Sequence, residues 1–234
     1  MRTELSDIAK SIADNIGCPY SYYPKGSGRE MIVNGYCTAM ERGEKEGFIP
    51  VIVAVDDILA EQLEIMKDDG YSVADTLEQD AKGGEEFLRK RYSEYFDDAA
   101  GEQVFDGKKE ALTGIYCIDD ARDGVLIFEI PTRKPWEIAA YIPFGGWNDC
   151  PSPDEMAAVL RYWYEKYGAV PVAITHDTLE MSVPEPVGEE KAAELAREHC
   201  AFTPDRAWQC TASGTIAEVA ASLAISPIWF FWWD

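Results

Sequence analysis

Histidine is nearly absent from this chain, basic residues are few, and no long apolar run occurs. Only two histidines stand among 234 residues, and the six cysteines (Cys18, Cys37, Cys117, Cys150, Cys200 and Cys210) include no C-x-x-C pair. With no paired-carboxylate motif either, neither a zinc nor a calcium site is expected. Nowhere does the chain reach the roughly 18 consecutive apolar residues that a membrane helix needs. "MRTELSDIAKSIADNIG" lacks the continuous apolar stretch of a signal peptide, so neither export by that route nor membrane insertion is expected. Lys and Arg total 21 against 43 Asp and Glu, a net charge of −22 and a pI near 4.4. A protein so charged offers no cationic face for phosphates, and a nucleic-acid partner is not expected. Neither a G-x-G-x-x-G nor a Walker pattern is present, so no cofactor is expected. No Ser or Cys sits in a nucleophile-elbow context, and no catalytic residue is nominated.

What the chain does contain is an ordinary globular complement: 47% hydrophobic and 27% charged residues, enough for a buried core. The scattered cysteines read as reduced thiols in a cytoplasm. Leu5, Ile8, Ala9, Ile12, Ala13 and Ile16 recur at helical spacing with Gly17 as a stop, predicting a helix over 4–16. "CPYSYYPKGSGRE" reads as a turn-rich loop. In "MIVNGYCTAMERGEKEG" Asn34-Gly35 suggests a hairpin, while Tyr36, Ala39 and Met40 favour a helix. "GFIPVIVAVDD" is a strand buried on both faces, followed by a helix that Asp56 or Asp57 caps. Residues 56–110 hold 17 acidic and 7 basic residues, a net of −10, with helices expected at 56–68 and 84–96. "LTGIYCID" and "VLIFEIPT" flank "DARDG" and predict a hairpin, and "WEIAAYIPF" another strand. "SPDE" at 152–155 is a capping box with Pro153 in the first turn, opening a helix that Gly168 ends. "AVPVAIT" and "TLEMSV" form a hairpin around His176-Asp177, and Thr215 with Glu218 opens a last helix.

Every tryptophan lies at position 136 or later, and residues 228–233 alone carry five aromatics. Alternation puts Trp229, Phe231 and Trp233 on one face of a terminal strand and Ile228, Phe230 and Trp232 on the other. So heavy a load on both faces places this strand in the sheet interior. The fold class expected is α+β, a mixed α/β arrangement with a mostly antiparallel sheet of about six or seven strands. Two regions are expected: an acidic α/β region over 1–124 and a C-terminal domain over 125–234.

"YIPFGGWNDCPSPDEMAAVLRYWYEKYGAVPVAITHDTLEMSV", "LAREHCAFTPDRAWQ" and the closing "WFFWWD" together resemble the bacterial family named domain of unknown function 4253, over about residues 125–234. The resemblance implies a fold unit and no reaction. Family members often carry a cysteine before the Pro-Asp pair, where Thr203 stands here, which speaks against a cysteine nucleophile at that position.

Gly145, Gly146, Trp147, Asn148 and Asp149 lie between an expected strand and a helix N-terminus, where free amides can receive an anion. The structural alternative is a tight turn whose glycines supply positive φ and whose tryptophan plugs the core; Asp149 would repel an anion. His176 beside Asp177, and His199 beside Cys200, are general-base or nucleophile candidates, although neighbours on a strand point apart. Asp205 and Gln209, four apart, share a side if that turn is helical, and either line a polar pocket or serve the first turn. Three function classes follow. One is a non-enzymatic cytoplasmic module that meets a basic protein through its acidic surface, in the manner of an immunity protein. The second is a small-molecule-binding protein or enzyme using the Gly145–Asp149 loop with His176, and the third a purely structural module.

Overall fold

The computed structural model describes residues 4–96, 104–120 and 123–234, with 119 and 120 as backbone only. The first half runs α1 (Asp7–Ile16), β1 (Tyr20–Pro24), α2 (Arg29–Glu46), β2 (Ile49–Ala54), α3 (Asp57–Asp68), α4 (Val73–Glu78), α5 (Gly84–Tyr95) and α6 (Cys117–Asp120). There follow β3 (Gly124–Ile130), a 3-10 turn (Pro135–Glu137), α7 (Ile138–Tyr141), α8 (Pro153–Tyr167), β4 (Val170–Ile174) and β5 (Thr178–Ser182). The chain closes with α9 (Glu189–Phe202), α10 (Asp205–Trp208), α11 (Ile216–Leu223) and β6 (Ile228–Trp232).

Among the described residues the strands form one mixed sheet in the order β1-β3-β2-β4-β5-β6. Only β2 and β4 run parallel, with Ile52 beside Ala173 and Val53 beside Ile174; the other pairs are antiparallel. Because β2 lies between β3 and β4, residues on both sides of position 124 share one sheet and one core. The line drawn there is not a structural divide. No helix among the described residues is long and apolar enough to cross a membrane.

One face of the sheet carries the main core, where Val51, Val53, Leu126, Phe128, Leu179, Met181, Trp229 and Phe231 meet α1, α3, α8 and α9. Its centre is Trp163, whose ring lies 5.0 Å from Phe202, 5.1 Å from His199, 5.2 Å from Phe231 and 5.7 Å from Trp229. On the other face α2 lays Ile32, Tyr36 and Ala39 over Ile52, Val125, Ile127 and Ala173. That cover serves the middle of the sheet. Over β5 and β6 the same face shows Glu180, Phe230 and Trp232, and cavities open there.

The helix ends follow local chemistry. Ser6 accepts the amide of Ala9 and Gly17 closes α1 at φ 67°; Glu155 holds both the amide and hydroxyl of Ser152; Thr215 accepts the amide of Glu218.

Four expectations need correction. The terminal strand is not interior: among the described residues β6 pairs with β5 alone and forms a sheet edge. Trp229, Phe231 and Trp233 are fully buried while Ile228, Phe230 and Trp232 are half-buried, so the aromatic load reflects one deep face rather than two. Residues 112–116 form no strand, because both edges of β3 are taken by β1 and β2; instead the Tyr116 and Cys117 amides donate to Glu180 at 2.7 and 3.1 Å. Of the expected "DARDG" turn, 121 and 122 lie outside the described residues. "WEIAAYIPF" coils into the 3-10 turn and α7, with Pro135 fixing the first turn and Ile138, Ala139 and Ala140 buried. Lastly, "YSYYP" is not loop but the edge strand β1, where Pro24 at its end costs no ladder bond.

Candidate functional site

Asp56 follows the end of β2, and the turn Thr175–Asp177 follows the end of the parallel strand β4. A crevice beyond the carboxyl ends of parallel strands is the usual ligand position in α/β sheets. Here a cleft of about 660 Å³ opens, lined by Asp56, Asp57, His176, Asp177, Gln209 and Trp232 among others.

β2 delivers Asp56, whose Oδ1 caps α3 by accepting the Leu59 amide at 2.7 Å while its buried Oδ2 has no partner. β4 delivers the turn Thr175–Asp177. Asp177 is held by three donors: Thr175 and Thr178 hydroxyls reach its Oδ1 at 2.8 and 3.0 Å, and Trp232 Nε1 reaches its Oδ2 at 2.8 Å. The carbonyl of Asp177 accepts the Trp233 amide at 3.0 Å, so β6 locks the turn. His176 sits between the two carboxylates. Its Nδ1 stands 3.2 Å from Asp56 Oδ1, at ion-pair distance though off the hydrogen-bond line, and its Nε2 stands 3.4 Å from Asp177 Oδ2. The contact with Asp56 raises the His176 pKa against the desolvation that opposes it, and Asp177 and Asp57 add to the rise. The charged imidazole is thus favoured. With both nitrogens facing carboxylates, this histidine is a proton-holding clamp.

Of the candidate residues, His176, Asp177 and Gln209 line the cleft, and Gly145, Gly146, Trp147 and Asn148 do not. The Gly145–Asp149 loop is closed as a turn: the Gly146 amide donates to the Cys150 and Pro151 carbonyls, both at 3.1 Å, and the Cys150 amide donates to the Trp147 carbonyl at 3.0 Å. Gly145 takes φ 95°, and a Cβ there would come within 2.2 Å of the Pro151 carbonyl oxygen. Asp149 is held from α5, by the Tyr95 hydroxyl on its carboxylate and by Arg91 on its carbonyl at 2.6 Å. A relay nevertheless links this loop to the cleft. Asn148 donates to the Asp234 carbonyl at 2.6 Å, the Asp234 amide donates to Asp205 at 3.3 Å, and Gln209 donates to Asp205 at 2.6 Å.

His199 and Cys200 lie away from the cleft. His199 is fully buried among Trp163, Trp229 and Phe231 with both nitrogens unpartnered, and burial holds its pKa well below the usual value. Burial pushes the Cys200 thiol up to about 12. Thr203 is a strut, its hydroxyl donating to the Trp232 carbonyl at 2.7 Å. Among the described residues no group of His, Cys, Asp and Glu could hold a metal ion. The sequence reading missed Asp56 as a site residue, because it appeared only as a cap, and missed Trp232 as the donor that orients Asp177.

Residues 126–234 match the family described as Domain of unknown function (DUF4253). No curated protein and no solved structure matches the chain. The matched family segment contributes His176, Asp177, Gln209 and Trp232 to the cleft, whereas Asp56, Asp57 and Cys117 come from outside it. The His176 clamp therefore crosses the boundary of the family segment.

Proposed function

We propose that this protein is a binding module for a small cationic molecule, such as an amine, taken into the His176 cleft. The observation that carries the reading is the excess of carboxylate around a single imidazole: Asp56, Asp57 and Asp177 against His176, with Phe230 and Trp232 as an aromatic wall. A cation is favoured both by these groups and by the field of a chain of charge −22, and aromatic faces add a cation–π attraction. A cytoplasmic location belongs to the same proposal, since all six cysteines are free.

The clamp gives the reading a signature. Protonated His176 neutralises part of the site, so an amine competes with a proton there. Benzylamine titrated into the protein is expected to bind more tightly as pH rises through the His176 titration, and to lose affinity in Asp177→Asn. Binding indifferent to pH and to that substitution would overturn the proposal.

A second reading, a basic protein partner met through the acidic surface, is favoured by one separate observation. Residues 56–110 carry a net charge of −10, and α3 and α4 present exposed carboxylates at Asp57, Glu61, Glu64, Asp68, Asp75 and Glu78. Steering by such a field acts over about 8–10 Å, so association would slow steeply with salt and in Asp68→Lys/Asp69→Lys, with no dependence on Asp177.

A further inference from the structure

We propose that a second cavity, floored by Arg206, binds the carboxylate of a small organic acid. This cavity, of about 400 Å³, adjoins the His176 cleft and shares Cys210 and Phe230 with it, but presents the opposite charge. It stands independently of the amine site.

Arg206 is only 4% exposed. Its Nε is buried without an acceptor, and among the described residues no hydrogen bond or ion pair reaches the guanidinium. An arginine cannot shed its proton to escape such a place, so its burial calls for an anion. Among the described residues no carboxylate bonds to it. Glu218, whose field reaches Arg206, spends its oxygens on the Ser213 amide and hydroxyl at 2.7 and 2.6 Å and on the Ala212 amide at 3.3 Å. The neighbouring Cys200 and Cys210 thiols are pushed up by burial and stay neutral, as does His199. The lysines at the mouth are already matched: Lys109 pairs with Glu189, and Lys108 faces Glu110 at 3.8 Å.

One unmatched guanidinium calls for one negative charge. Its planar fork fits a carboxylate through two parallel bonds. A phosphate dianion would bring a second charge toward Glu110 and Glu218, which line the same cavity. Phe105, Leu112 and Phe230 supply an apolar part of the wall, and Tyr116, Thr211 and Ser222 line it as well. The volume suits a ligand of drug-like or smaller size. The acid is accordingly a monocarboxylate on an aromatic or branched body.

Phenylacetate titrated into the full chain, followed by calorimetry and amide NMR shifts, tests this. Saturable binding is expected, weakened about 10- to 100-fold in Arg206→Met, the factor for losing a charge-assisted pair of bonds. Arg206→Met is also expected to melt no lower than wild type, since a buried unpaired charge has gone, which separates lost binding from lost fold. Should Arg206→Met fail to fold, Arg206→Lys keeps the charge without the fork and is expected to weaken binding about tenfold. Benzylamine is expected to leave the resonances around Arg206 unmoved. Phenylacetate that never saturates, that binds the variants as tightly as wild type, or that is matched by inorganic phosphate would overturn the proposal.

Discussion

Phe231→Ala is the sharpest probe of how β6 holds the molecule. Phe231 is fully buried, stacked on Trp163 at 5.2 Å, edge-on to Phe202 at 5.2 Å and 4.6 Å from the His199 ring. Truncating such a side chain typically costs about 3–5 kcal/mol, because the cavity left behind collapses only partly. Against a domain stability of about 5–15 kcal/mol, that is between about a fifth and all of it. Phe230, its neighbour, faces the cavities and is half-buried, so Phe230→Ala is expected to cost about 1 kcal/mol, half the worth of a fully buried side chain. Urea unfolding followed by tryptophan fluorescence reports both, since Trp163, Trp229 and Trp233 are buried in the native state. Equal losses at the two positions, or a larger loss at Phe230, would refute the assignment of core and cavity faces. Removing 228–234 altogether takes out three buried aromatics, about 5–9 kcal/mol of burial, and is expected to leave no cooperative transition.

Ser152→Ala and Thr215→Ala are each expected to cost about 0.5–2 kcal/mol, read as a lower urea midpoint at unchanged slope; midpoints equal to wild type would deny these residues their capping role. The His176 pKa is raised in the fold, so its pairing with Asp56 and Asp177 stabilises fully below about pH 6.5 and fades as pH climbs through the raised value. Because the side chain is partly solvated, that loss should stay below about 1 kcal/mol. It should vanish in His176→Asn; a wild-type profile that rises over the same interval would reverse the sign of the clamp.

Elements with both a period and a punctuation mark were legible in the sequence. α1 had its apolar stripe and Gly17, α8 its Ser152–Glu155 box, and β2 its β-branched run. Misreadings arose where pairing depends on distant residues. "LTGIYCID" has the alternation of a strand, yet β3, its expected partner, is already paired on both sides by β1 and β2, and buried Glu180 takes the Tyr116 and Cys117 amides instead. "YSYYP" looked like a loop because nothing nearby shows that β3 would pair with it. The site was half visible for the same reason. His176, Asp177 and Gln209 stood out as residue types, but Asp56 joins them only through the parallel pairing of β2 with β4. Nothing in "TPDRAW" marks Arg206 as buried, since a turn sequence gives no sign of how deep its side chains lie.

The placing of β3 between β1 and β2 bears on how this architecture can have been assembled in evolution. The family segment begins at 126, inside β3, yet both ladder partners of that strand come from earlier in the chain. Spliced alone into another protein, the segment would arrive with β3 unpaired on both sides and β4 missing its inner neighbour. Bare strand edges of that kind recruit other chains. In this chain the segment therefore depends on the two strands that precede it to pair both sides of β3.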